Sequence, residues 1–295
     1  MFFRKNVPVL LLVIASVLPL PSGCGGRMVD RPGLDASSRI AVVSVVMPRV
    51  ADISRDANRA VLQASVNRAQ ELVKTGLAGM HSWSVLDPMK QRQGRTVQAF
   101  GSASDADLAV SFPSPEERKR IAELVRQERA RWKEGFIGAE GLPIIPRSAF
   151  APGDDGPEPD AAVQQVMLQQ AGRLCSVLNL DAVVFVHLQA SITHPRDATF
   201  IVTDSRTDGM LRMAGTMVIV DKTGRIIVDM GWPQLDAAGR ARDLLPLYKG
   251  AGKDAVKDEN IDLGDARKKI LQAFSALVDE VVADLMADLK ALGGK

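Results

Sequence analysis

The chain predicts an α/β fold, a mixed sheet flanked by helices and sandwich-like in three layers, with a helical and loop insertion. Three observations predict it. Ile40-Ala-Val-Val-Ser-Val-Val-Met47 is a continuous β-branched run of the kind that fills a strand buried on both faces. A long helical pattern from about Ser54 to Leu77 separates it from a second strand, Trp83-Ser-Val-Leu86, which gives strand, helix, strand. A helical pattern from Asp160 to Leu178 then leads into Ala182-Val-Val-Phe-Val-His-Leu188, another buried strand.

Residues 1–23 form an export signal. Arg4 and Lys5 make a positive start, Val7 to Leu20 an apolar run, and Pro21-Ser22-Gly23 a small-residue exit. The apolar run is too short for a bilayer core, which needs roughly 20 helical residues. Residues 24–38 are rich in Gly, Arg, Asp and Pro and carry no apolar period, so a flexible tether is expected there. A single domain follows over 39–292.

Inside that domain, Leu62, Val66, Ala69 and Val73 form one stripe of the first long helix, and Gly76 and Gly79 stop it. An insertion at about 90–160 breaks the rhythm. It holds one charged helix, Pro115 to Lys133, with a narrow apolar stripe at Ile121, Leu124, Val125 and Trp132. A solvated surface insertion is expected, or else a partner-binding arm whose contacts are those four residues. Further on, Met210 to Val220 and Arg225 to Met230 read as a hairpin around Asp221-Lys-Thr-Gly224, with Gly224 at positive φ. A helix from about Asp265 to Leu292 closes the chain, striped by Ile270, Phe274, Leu277, Val281, Leu285 and Leu289.

Charge excludes one class of partner. The whole chain carries 37 Lys+Arg against 35 Asp+Glu, and loss of the signal removes Arg4 and Lys5 but no acid, so the remainder is formally neutral. With aromatics at 4%, neither phosphate neutralisation nor base stacking is provided for, and no nucleic acid is expected. The two cysteines are Cys24 and Cys175. In its helical setting Cys175 reads as a small buried hydrophobe.

Several short motifs invite chemistry and fall short of it. Asp221-Lys-Thr-Gly is similar to the phosphorylated-aspartate motif of P-type ATPases but continues with Arg225, and a hairpin turn explains all four residues. Gly250-Ala-Gly-Lys-Asp254 lacks the hydroxyl residue that a phosphate-binding loop places after lysine. Asp204 to Gly209 resembles half a calcium loop but puts Arg206 where an oxygen ligand belongs. His187 and His194, with Asp197 near, are the candidates for a zinc-type hydrolytic site, at a spacing that matches no helix-borne ligand pair. No catalytic residue, cofactor site or metal site is assigned.

Ser22, Gly23 and Cys24 resemble the lipobox of bacterial lipoproteins, with Pro21 standing where that family has leucine and Leu20 one place early. The resemblance implies lipid attachment at Cys24, and Gly25 after the cysteine implies the outer membrane, facing the periplasm. A plain secreted or periplasmic domain is the alternative. From Arg39 onward, Arg39-Ile-Ala-Val-Val-Ser-Val-Val46, Leu178-Asn-Leu-Asp-Ala-Val-Val-Phe-Val186 and Met217-Val-Ile-Val-Asp-Lys-Thr-Gly-Arg-Ile-Ile-Val228 resemble an α/β domain of envelope lipoproteins. That domain is shared by the curli-secretion (CsgG-like) group, the N-terminal domain of TolB and the lipoprotein activators of penicillin-binding proteins. The resemblance implies a lipid-anchored binding or scaffolding role in envelope assembly or regulation, with envelope proteins as partners. A hydrolase using His187 and His194, and a small-molecule binding domain, are the alternatives.

Overall fold

A computed structural model describes residues 28–49, 56–80, 83–89, 94–100, 108–109, 111–150, 160–193, 210–231, 240–243 and 264–293. Their strands are β1 (Met28–Val29), β2 (Arg39–Pro48), β3 (Ser84–Leu86), β4 (Phe136–Gly138), β5 (Ala182–Thr193), β6 (Met210–Asp221), β7 (Ile226–Asp229) and β8 (Arg240–Asp243). The helices are α1 (Arg31–Ala36), α2 (Asp56–Ala78), α3 (Gly94–Ala99), α4 (Pro115–Gly135), α5 (Ala161–Leu178) and α6 (Gly264–Gly293). The eight strands make one sheet in the order β1-β7-β6-β5-β2-β3. β4 joins the outer side of β2, and β8 joins β6.

The sheet is mixed, as the sequence predicts. β2 runs parallel to β3 and to β5, each connection passing through helix, while β6 and β7 return antiparallel. β2 and β5 are apolar along both faces because helices cover both, and Ile40 through Met47 apart from Ser44 are buried apolar residues. The pairing of β2 with β5 shifts register between Val42 and Ser44, a bulge that re-aims the Ser44 side chain.

α2 and α6 cover one face. A Cβ at Gly76 of α2 would meet Met286 of α6, and one at Gly215 of β6 would meet Val281 and Leu285, so these glycines let the layers close up. α4, α5 and the segment 136–150, which includes a 3-10 turn at Arg147–Ala149, cover the other face. α5 starts on Asp160, whose carboxylate accepts from the Ala162 amide at 2.8 Å, and ends on Asn179 in the left-handed region. The hairpin turn forms where expected. Asp221 accepts from the Thr223 and Arg225 amides at 2.8 and 3.0 Å, and Gly224 has φ +78°.

Two expectations change. The tether expected over 24–38 is ordered structure from Met28 onward. Met28 and Val29 pair with Asp229 and Val228, Asp30 caps α1 through the Gly33 amide, and Leu34 is buried. Pro32 and Gly33 belong to a capped short helix and not to slack chain, and the free edge of β7 supplies the missing partner. The insertion at 90–160 is likewise part of the core where it is described: Val97, Phe100, Phe112, Ile137, Ile145 and Phe150 are all buried. Its apolar residues are too unevenly spaced to show a period, yet they converge on the sheet.

Candidate functional site

Polar groups concentrate under the α5 side of the sheet. β5 presents Phe185 and His187 there, and the antiparallel register sets Thr216 of β6 opposite His187. Ser44 answers from β2. Its hydroxyl lies 3.0 and 3.1 Å from the Pro143 and Ile145 carbonyls and accepts from the Ile145 amide at 3.2 Å, pinning that loop to the sheet. One turn on, Arg147 reaches the end of β7 and donates to both carboxylate oxygens of Asp229, at 3.0 and 2.8 Å. Arg147 is 5% exposed, so this bidentate pair is held out of water.

His187 is 3% exposed and lies edge-on to Phe136 with ring centroids 5.2 Å apart. Burial, and then the Arg147 charge, push its pKa down to about 3, which makes it a neutral imidazole at ordinary pH. A metal ion approaching it would meet the Arg147 guanidinium and would need a path through packed side chains. His194 and Asp197, expected beside it, lie outside the described residues, as do Asp204–Gly209 and Gly250–Asp254. No group of three His, Cys, Asp or Glu side chains able to hold a metal occurs among the described residues.

A second polar cluster sits in the seam between α4 and α5. Arg129 donates through Nη2 to Gln170 Oε1 at 2.7 Å and to the Phe100 carbonyl at 3.0 Å. Its Nε and Nη1 are buried with no acceptor, as are Trp132 Nε1, one turn along α4, and Gln170 Nε2 on α5. Desolvation pushes the guanidinium down to about 10. All four groups are donors, two of them on the guanidinium itself and two beside it. Such an arrangement accepts an anion and not a cation.

The partner-contact residues expected on α4 are placed differently. Ile121 and Val125 are buried, Trp132 is 1% exposed, and Leu124 is half-buried against the same core. A stripe closed by its own chain offers nothing to a partner, and that expectation is corrected. What α4 exposes is charge, including the Glu123–Arg126 and Glu128–Arg131 ion pairs. Sequence reasoning missed Ser44, Arg129, Arg147, Thr216 and Asp229, because each looks like an ordinary polar residue until the sheet register and the loop path bring it inside. Cys175 is buried as expected, and burial and then the Asp221 charge push its thiol up to about 12. Cys24 and the signal lie outside the described residues, and no helix among the described residues is long and apolar enough to cross a membrane. Comparison of the chain with family models, with curated proteins and with solved structures finds no match.

Proposed function

We propose that this chain is a lipid-anchored, periplasm-facing binding or scaffolding protein of the bacterial envelope. The observation that carries the proposal is the order of signals at the N-terminus: Arg4-Lys5, the apolar Val7–Leu20, and Ser22-Gly23-Cys24, with a folded domain beginning at Met28. A diacylated cysteine holds a domain at a bilayer because each buried methylene contributes about 0.8 kcal/mol. The described groups best suited to chemistry, the Cys175 thiol and the His187 imidazole, are sealed in the core, which supports a role in binding. Cys24→Ser tests the proposal. The parent is expected to incorporate labelled palmitate and to fractionate with the outer membrane, and the serine variant to do neither. Equal fractionation with no label in either protein would leave a plain secreted domain.

The Arg129 seam favours a second reading, a domain that binds a small anionic molecule. Inorganic phosphate and a panel of small carboxylates, added to the purified protein, should raise its melting temperature if one of them occupies the seam, and Arg129→Met should abolish the rise.

A further inference from the structure

We infer that the sheet edge built from β1 and α1 lies against the bilayer, and that the β3–β4 edge points away from it. This rests on the lipid anchor at Cys24 proposed above. Gly25, Gly26 and Arg27 alone separate Cys24 from Met28, so the two Cα atoms are at most about 14 Å apart even with the chain fully extended. A domain of this length has a radius of gyration of about 18 Å, larger than that reach. The tether therefore keeps the edge it leaves from near the headgroups. The far edge is five strand spacings away, about 24 Å along the sheet.

The chemistry of the near edge fits a bilayer interface. Met28 is 46% exposed, one of two exposed large hydrophobics among the described residues, and it occupies the outermost strand. Arg31 and Pro32 are exposed beside it on α1. Arg225 is exposed too, anchored to Asp30 at 2.6 Å, and its long stem lets a charge reach phosphate while the backbone stays back. Asp30 and Asp221, both paired with Arg225, and the exposed Asp35 keep this edge from being strongly basic, so the short tether and not charge sets the orientation. The contact accordingly takes zwitterionic as well as anionic lipid.

Cys175 makes the test simple, because its buried thiol does not compete for a thiol-reactive fluorophore. Asp35→Cys on α1 and Ser84→Cys on β3, both at exposed positions, are labelled separately in the full chain and reconstituted into phosphatidylethanolamine vesicles containing brominated lipid. Palmitate incorporation is measured on the same samples. Severalfold stronger quenching at position 35 than at position 84 is expected, and a 20-residue Gly-Ser insertion after Gly26 should erase most of the difference, since such a linker spans roughly 25 Å. Equal or reversed quenching in palmitate-labelled protein would overturn the orientation while leaving the anchor intact. Absence of palmitate would overturn the anchor and the orientation with it.

Discussion

The two faces of the sheet are held by different physics. Against α2 and α6 the contact is mainly apolar: Val66, Ala69, Val73 and Leu77 on one helix, Phe274, Leu277, Val281, Leu285 and Leu289 on the other, all buried, while the buried Ser65 hydroxyl turns back onto the Val61 carbonyl of its own helix. At its rim Arg68 grips Asp279 in exposed surroundings. Against α4, α5 and the 136–150 segment the contact is laced with hydrogen bonds, from the Ser44 hydroxyl, the Arg147–Asp229 pair and the Arg129–Gln170 pair. Regular helices present a continuous stripe and need no direction beyond it. Irregular chain has its own backbone groups to satisfy and lacks a stripe, so directional bonds fix its path. The price of that arrangement is vulnerability, since a broken buried pair leaves a charge behind whereas a trimmed aliphatic chain leaves a void.

Substitutions on the two faces should separate these behaviours. Arg147→Met removes one half of a buried ion pair and is expected to lose about 3–5 kcal/mol in urea unfolding, with Arg147→Met/Asp229→Leu recovering most of it. If the double variant is no better than the single one, the pair is not the element that fixes the loop. Leu277→Ala, on the apolar face, should lose about 2–5 kcal/mol without any partner substitution that restores it. A pH series sharpens the contrast further. His187 is held neutral in the fold, so the unfolded chain takes up a proton that the native one refuses between pH 6.5 and about 3. The stability it contributes is full above pH 6.5 and falls as pH drops through that window, by up to about 1.4 kcal/mol per pH unit. His187→Gln should flatten that slope. The smallest effect is expected at the rim, where Arg68→Gln should barely move the urea midpoint because the pair it breaks is solvated on both sides.

The low carboxylates belong to neither face but follow the same sign. Partial burial would raise Asp181, yet the Ser38 and Arg39 amides, the Ser38 hydroxyl and Lys222 outweigh it and hold its pKa down. That contribution is full above the ordinary carboxylate range and is lost on acidification below it, so it sets in at lower pH than the His187 effect and overlaps the end of it. His187→Gln leaves the Asp181 part alone.

The apolar face was legible in the sequence because its information is periodic. The stripe of α2, the buried runs of β2 and β5 and the stripe of α6 from Phe274 onward can each be read from spacing alone. The hairpin was legible for a different reason, since Asp221 and Gly224 are the residue types its turn demands. The other face was opaque. Phe136, Ile145 and Phe150 carry no period, and nothing local marks Arg147 as the partner of Asp229, 82 positions away. The apolar stripe of α4 is also readable from spacing, but an amphipathic helix shows which face is apolar and not what covers it, so a partner and the chain's own core look alike. Met28 and Leu34 were lost to a compositional rule: Gly, Pro and Asp mark caps and turns as readily as slack chain.

The pairing of β1 with β7 has a consequence for the order of events during synthesis. Met28 is among the first folded residues to emerge, but its partner Asp229 comes near the end of the chain, and Arg39 and Asp181, bonded across the middle of the sheet, are 142 positions apart. Loops of that length close slowly, so the sheet cannot be completed while its later strands are still unmade. Met28 and Val29 of β1 therefore wait, unpaired, until β7 has been made late in the chain.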